Sequence, residues 1–334
     1  MLKKNKIKIF FGLNTRNGLR GGGFNFLNYL KFKMNKKNLI TTSLTNSNLV
    51  LINSHHNFLN IFFYKFFFPK KIFIHRIDGP ISKYVGKNDY RDQLVEFLNF
   101  YVADATIFQS NWSFKNRNFK PTNNYKIIHN CADKRFYKFK KVKKIKNSIF
   151  LSSWSKNFNK GFKFYSYLDK TINFKKYKIS FVGNSPINFK NIKVYSPKDP
   201  KKLSNLMLKH QIYITASKND PCSNSLLEAL ELKLPSVVLN SGGHTEILKN
   251  RGVYFQNQKN LIPKVLIVFK RYTSFLKNFN KKEEDILKKY IDYFKFVLKK
   301  SNENELNTKK INLHTLIRAI ILQLSIKLKL KNIL

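Results

Sequence analysis

NDPCSNSLLEALELKLPSVVLNSGGHTEIL, residues 219–248 of the chain, strings together a polar turn, a short apolar helix, a strand and a glycine turn. The helix carries Glu228 among leucines. A Leu-Pro step at Leu234 and Pro235 leads into the strand Ser236 to Leu239, and Gly242 and Gly243 turn the chain after it. A helix followed at once by an apolar strand is the repeating half of an α/β domain. Two carboxylates, Asp220 and Glu228, stand eight positions apart, at the entrance and on the first turns of this helix. An ionised carboxylate accepts hydrogen bonds without donating, so the pair suits a ligand with hydroxyls at both ends.

The same alternation extends through the chain. In the second half, strand signals fall at Ile149 to Ser152, Ile179 to Val182, Ile192 to Tyr195 and Ile212 to Thr215. In the first half they fall at Lys6 to Phe11, Leu49 to Ile52, Lys71 to His75, Ala105 to Phe108 and Lys126 to His129. Between them, DQLVEFLNFY, residues 92–101, places Leu94, Val95, Leu98 and Tyr101 at the spacing of a helix that covers a sheet. Parallel sheets with helices on both faces are expected, with ligands beyond the carboxyl ends of the strands. Those ends carry His75-Arg76-Ile77-Asp78-Gly79, Gln109-Ser110 and His129-Asn130. The first strand runs into LNTRNGLRGGG, residues 13–23, and then a helix. Gly21, Gly22 and Gly23 would sit at that helix start, where backbone N–H groups either face an anion or form a flexible turn. The loop matches neither G-x-G-x-x-G nor the P-loop pattern.

A basic run, DKRFYKFKKVKKIKN at residues 133–147, marks a domain boundary. The expected division is an N-terminal Rossmann-like domain at 1–140, a C-terminal one at 141–310, and an amphipathic helix at 311–334, with a cleft between the two domains as a common place for a ligand. That last stretch carries Leu313, Leu316, Ile317, Ile320, Ile321 and Leu324, followed by alternating Ile and Leu with Lys. A helix lying on an anionic membrane and a helix packed across two domains share this pattern.

At 334 residues the chain suffices for two domains, and an apolar fraction of 43% with 32 Phe and 16 Tyr is globular. Its 64 Lys and Arg against 18 Asp and Glu give a formal charge of +46, which attracts polyanions and anionic headgroups. AT-rich coding accumulates Lys, Asn, Phe and Ile, and accounts for much of this; the shortage of Asp and Glu, whose codons are also AT-rich, it does not explain. The two cysteines, Cys131 and Cys222, lack metal-ligand spacing and fit a reducing compartment. The apolar run near the start is too short for a signal peptide, and Lys65, Pro69, Lys70 and Lys71 interrupt the aromatic stretch 59–74 before it could span a bilayer. A cytoplasmic protein is expected, with the inner face of the membrane as a second location.

Four motifs, in order, resemble the family 4 glycosyltransferases, retaining nucleotide-sugar enzymes of the two-domain GT-B type. The resemblance covers most of residues 6–250. Asp220-x7-Glu228 is similar to the family's Glu-x7-Glu motif, and LPSVVLNSGGHTEIL to the segment that follows it. WSKNFNKGF, residues 154–162, resembles the loop before the first helix of the C-terminal domain, with Lys160-Gly161 as its Lys-Gly pair. Gly22-Gly23 and IHRIDGP resemble acceptor-side loops, and IIHNCAD the segment before the linker. The chain departs from the pattern in having Asp at the first motif position, Pro221-Cys222-Ser223 after it, Asn130-Cys131 in place of Asn-Gly, and no arginine ahead of Lys160.

The resemblance implies a GT-B fold and a metal-independent, hexosyltransferase-class enzyme, with no cofactor beyond a nucleoside diphosphate sugar donor. The acceptor would be a glycan or a lipid-linked glycan, in cell-surface polysaccharide or glycolipid synthesis. Catalytic roles fall to His75, Lys160 and Asp220: His75 near donor sugar and acceptor, Lys160 on the leaving phosphate, Asp220 on the sugar hydroxyls. Glu228 would take the ribose hydroxyls, and the helix start at Ser223, Asn224 and Ser225 the diphosphate, with Lys156 standing in for the absent arginine and Gly22 and Gly23 also nucleotide-binding. Asp78 would orient His75 or Arg76, or cap its turn. The second partner expected is an anionic membrane surface; nucleic acid is not expected. The alternative reading is a catalytically decayed basic protein that binds anionic membrane or nucleic acid.

Overall fold

Every strand pairs parallel with its neighbours in the computed structural model, which describes residues 7–13, 22–86, 88–137, 142–280 and 285–331. The strands are β1 (Ile9–Phe11), β2 (Leu49–Asn53), β3 (Ile72–Ile77), β4 (Ala105–Phe108), β5 (Tyr125–Ile127), β6 (Ser148–Ser153), β7 (Lys178–Gly183), β8 (Lys193–Tyr195), β9 (Ile212–Thr215), β10 (Ser236–Leu239) and β11 (Gly252–Phe255). β1 to β5 form one sheet in chain order, and the other six form a second sheet in the order β11-β10-β9-β6-β7-β8. The second order reverses direction between β6 and β9. Such a reversal opens a crevice at the carboxyl ends of the two strands. β11 has no counterpart in the strand signals, because Gly-Val-Tyr-Phe is short and only partly buried at a sheet edge.

The chain divides into two compact units: Met1–Arg16, Leu27–His129 and Asp285–Leu334 form one, and Asn17–Phe26 and Asn130–Glu284 the other. In the second unit the period-two alternation of the strands is satisfied on both faces. Ile149, Leu151, Ile212, Ile214 and Val237 pack with Phe162, Tyr165, Leu168, Leu261 and Val265 on one side. Phe150, Tyr213 and Val238 meet Met207, Leu226, Ala229 and Leu230 on the other. In the first unit, Val50, Ile52 and Phe73 pack against Phe58, Phe62, Leu94 and Leu98.

Residues 285–310, expected in the second domain, group with the first unit. The helix Ile286–Asn302 is held there by two buried tyrosines. Tyr290 accepts from Arg76 Nε at 3.2 Å, and the Tyr293 hydroxyl approaches the carbonyls of Thr106 and Asn124 at 3.2 and 2.8 Å. Local periodicity gives such a helix an apolar face but not the surface it covers. The last helix, Leu313–Lys331, also joins this unit: Leu316, Ala319 and Ile326 enter the cluster of Val50 and Phe62. Its alternating Lys-Leu tail continues the helix as far as Lys331 instead of changing period. The first helix runs Gly22–Asn35, so Gly22 and Gly23 stand at its start as expected. Gly21, the loop residues 14–20 and connector residues 138–141 lie outside the described residues.

Candidate active site

Two loops leave the adjacent strands β6 and β9 at the point of reversal, and they bring Lys160 and Asp220 together. Lys160 Nζ lies 3.0 Å from Asp220 Oδ2, with side chains 19% and 12% exposed. Sixty positions of sequence separate the two. The Lys160 loop is shaped locally: Asn157 caps a short turn by accepting from Asn159 N–H at 2.8 Å, and Lys218 N–H donates to Asn159 O at 2.7 Å. Gly161 then adopts a left-handed φ of +96°, where a Cβ would stand 2.5 Å from that of Ala216. Only glycine allows this approach.

Asp220 is pinned from the opposite side by the glycine turn. Gly243 N–H donates to Asp220 O at 2.9 Å, and Asn219 N–H donates to Ser241 Oγ at 2.9 Å. Gly242 has a φ of +64°, and a Cβ there would lie 2.2 Å from Asp220 O. Burial by itself would raise the Asp220 carboxyl, but Lys160, His244 and the N–H of Cys222 hold it below the usual range. His244 is fully buried, with Nδ1 2.9 Å from the carbonyl of Leu239. A carbonyl only accepts, so Nδ1 carries a proton; Nε2 is buried without a hydrogen-bond partner among the described residues. Burial lowers the pKa of the ring, against the opposing pull of the Asp220 carboxylate.

The helix Asn224–Glu231 begins after the short segment Pro221-Cys222-Ser223 that follows Asp220. Ser223 caps it, its Oγ accepting from Leu226 N–H at 3.4 Å, and Asn224 Oδ1 accepts from Asn130 Nδ2 at 3.1 Å. The first-turn N–H groups of Asn224 and Ser225 have no acceptor among the described residues, which leaves the positive end of the helix dipole free for an anion. Further along the helix, Glu228 is half-buried and its carboxylate has no hydrogen bond or ion pair among the described residues. Burial, with the neighbouring Asp133 charge, pushes its pKa up from 4.5 to about 7. The same burial and the Glu228 charge raise the Tyr137 hydroxyl well above its ordinary value. In a chain with 64 basic residues, a carboxylate next to another carboxylate and without a cation among the described residues is unusual. Asp133 is the neighbour the motif reading missed; it is committed to Arg135, Oδ2 to Nη2 at 2.5 Å. Its place in IIHNCAD was visible, but its proximity to Glu228 was not. Lys156 is exposed in the loop before Lys160.

In the first unit, the expected role of His75 meets a correction. Its ring has no exposed surface, and both nitrogens are engaged, Nε2 with Ser54 O at 2.9 Å and Nδ1 with Asn99 Nδ2 at 3.2 Å. Burial takes its pKa down to about 4. A ring so enclosed has no atom available for a substrate; it positions the ends of β2 and β3. Arg76 is likewise fully buried and bonds Asn53, Asp78, Gln109 and Tyr290. Asp78 therefore orients Arg76 and not His75, while its other oxygen accepts from Asn53 and Ser54 at 3.0 Å each. Burial would raise the Asp78 carboxyl, but Arg76 overrides this and keeps it low. The adjacent His55 and His56 are half-buried, with ring centroids 4.5 Å apart.

Comparison with solved structures defines the class: the fold is that of the GT-B glycosyltransferases. HepE (Alr3699) of Anabaena, solved with UDP-glucose, matches 89% of this chain and 100% of its own at 12% identity and a TM-score of 0.65. An alpha-glucosyltransferase solved with UDP and a 13-mer DNA matches 88% of this chain and 100% of its own, at 12% identity and a TM-score of 0.62. TarM of S. aureus, in a G117R mutant complex with UDP, matches 81% of this chain and 59% of its own, at 14% identity and 0.57. No protein-family model and no curated protein sequence matches the chain.

Proposed function

We propose that the protein is a retaining, family 4 type glycosyltransferase that moves a hexose from a nucleoside diphosphate sugar to an acceptor hydroxyl. The observation that carries this reading is the half-buried carboxylate of Glu228, without an ion pair among the described residues, on the same short helix whose start follows the Lys160–Asp220 pair. A protein that needed only stability would not keep a carboxylate raised to about 7 beside Asp133. A ribose supplies the two hydroxyl donors that such a group lacks. The free N–H groups of Asn224 and Ser225 then face the diphosphate, and Asp220 receives hydroxyls of the sugar. Lys160, already inside a low-dielectric ion pair, supplies positive charge as the phosphate departs.

The donor base proposed is uracil, since the neighbouring structures were solved with UDP or UDP-glucose. Retention would follow from front-side attack in which the departing phosphate takes the acceptor proton, with no covalent enzyme nucleophile and no metal. The acceptor proposed is a glycan or a lipid-linked glycan, in surface polysaccharide or glycolipid synthesis. The alternative of a decayed basic binder leaves Glu228 without a purpose. A panel of UDP-sugars tested for transfer and for hydrolysis, with and without a chelator, checks the assignment. Activity is expected to survive chelation and to vanish in Glu228→Ala. Full activity in that variant removes the site.

A further inference from the structure

The helix Leu313–Lys331 is apolar on two opposite faces. One face, with Leu316, Ala319 and Ile326, is buried in the first unit. The other carries Leu313, Ile317, Ile321, Leu324 and Leu328, which are 48–63% exposed. At 3.6 residues per turn these five lie within an arc of about 80°, on a line about 22 Å long. An ordinary surface helix is polar on its outer face, so packing within the unit does not explain this stripe. Arg318 flanks it on one side and Lys327 on the other, and the helix contains no acidic residue. Beside it, Phe100 of the helix Arg91–Tyr101 is 65% exposed. An open groove of about 550 Å³, lined by Phe97, Phe100, Tyr101, Ile321 and Leu322 with Arg318 and Glu96 among its polar residues, lies along the two helices.

We propose that this face of the first unit docks on an anionic lipid surface. A straight aliphatic stripe with cations on both flanks is the shape of a helix lying at the boundary of headgroups and acyl chains. The largely apolar groove next to Phe100 gives an acyl chain room, while Glu96 in its lining leaves anionic headgroups to the flanking cations. A second copy of this chain is the weaker occupant: a symmetric contact would set Arg318 and Lys327 near their own counterparts, in molecules that each carry a formal charge of +46. A polyanion without an apolar phase would leave the five aliphatic side chains in water.

The test uses the full chain and vesicles of phosphatidylcholine, with or without about one third phosphatidylglycerol, in co-sedimentation at about 0.15 M salt. The protein is expected to sediment with the anionic vesicles and to stay in solution with the neutral ones. Ile321→Ser with Leu324→Ser changes only exposed positions, and an unchanged circular dichroism melt verifies its fold. It is expected to weaken partitioning into anionic vesicles by at least about tenfold. Failure of the native chain to sediment with anionic vesicles overturns the proposal. So does undiminished sedimentation of the double variant, because charge alone would then suffice. A concentration-dependent dimer in light scattering that the double variant abolishes also overturns it, and reassigns the face to self-association.

Discussion

Replacing Glu228 by Gln should make the protein more stable and less able to bind its nucleotide. The folded state raises this carboxyl from 4.5 to about 7, through burial first and the Asp133 charge second. At about 1.4 kcal/mol for each tenfold change in proton affinity, the ionised form costs the fold up to about 3 kcal/mol. The side chain keeps some solvent contact, which reduces the expected figure to about 1–3 kcal/mol. The sign follows from linkage. The folded carboxyl holds its proton to higher pH than the unfolded one, so native stability falls as pH rises from about 4.5 to about 7 and then levels off. Gln is neutral throughout. The variant should match the native protein in acid and exceed it by the full amount at about pH 8. Urea unfolding of both proteins across this range measures the difference. A variant that is less stable at about pH 8, or an offset that does not change with pH, would refute the reasoning. In parallel, UDP affinity should fall about tenfold, since an amide gives the ribose a weaker acceptor than an ionised carboxylate.

Two further outcomes follow from the same geometry. Lys160→Met strands the largely buried Asp220 carboxylate and should cost about 2–3 kcal/mol at neutral pH; because Lys160 holds that carboxyl low in the folded state, the stability it confers is present above the unfolded value near 4 and is lost as pH falls, so native and variant unfolding curves should converge in acid. His75→Asn should destabilise the first unit by about 1–3 kcal/mol, through loss of the buried contacts to Ser54 and Asn99, yet leave the pH–rate profile of transfer unchanged; a displaced acid limb would return His75 to a catalytic role.

Much of the architecture was legible in residues 219–248 and their surroundings, because strand burial and helix amphipathicity repeat at periods of two and 3.6 residues and are local properties. The helix at Asn224–Glu231 and β10 at Ser236–Leu239 follow directly from that text. So does the identity of the charged groups: Asp220, Glu228 and Lys160 were visible as motif positions. Their relations were not. That Lys160 and Asp220 form a pair depends on β6 and β9 being neighbours, which is a matter of strand order and not of sequence spacing. That Glu228 has no cation beside it among the described residues follows from which side chains the fold brings near, and Asp133 comes near instead. His75 shows the converse, since a strand-end histidine reads as exposed chemistry until Asn99 and Ser54 enclose it. The return of Tyr290 and Tyr293 to the first unit, and the second apolar face of Leu313–Lys331, were likewise decided in three dimensions. Periodicity states that a face is apolar; only packing determines whether protein covers it.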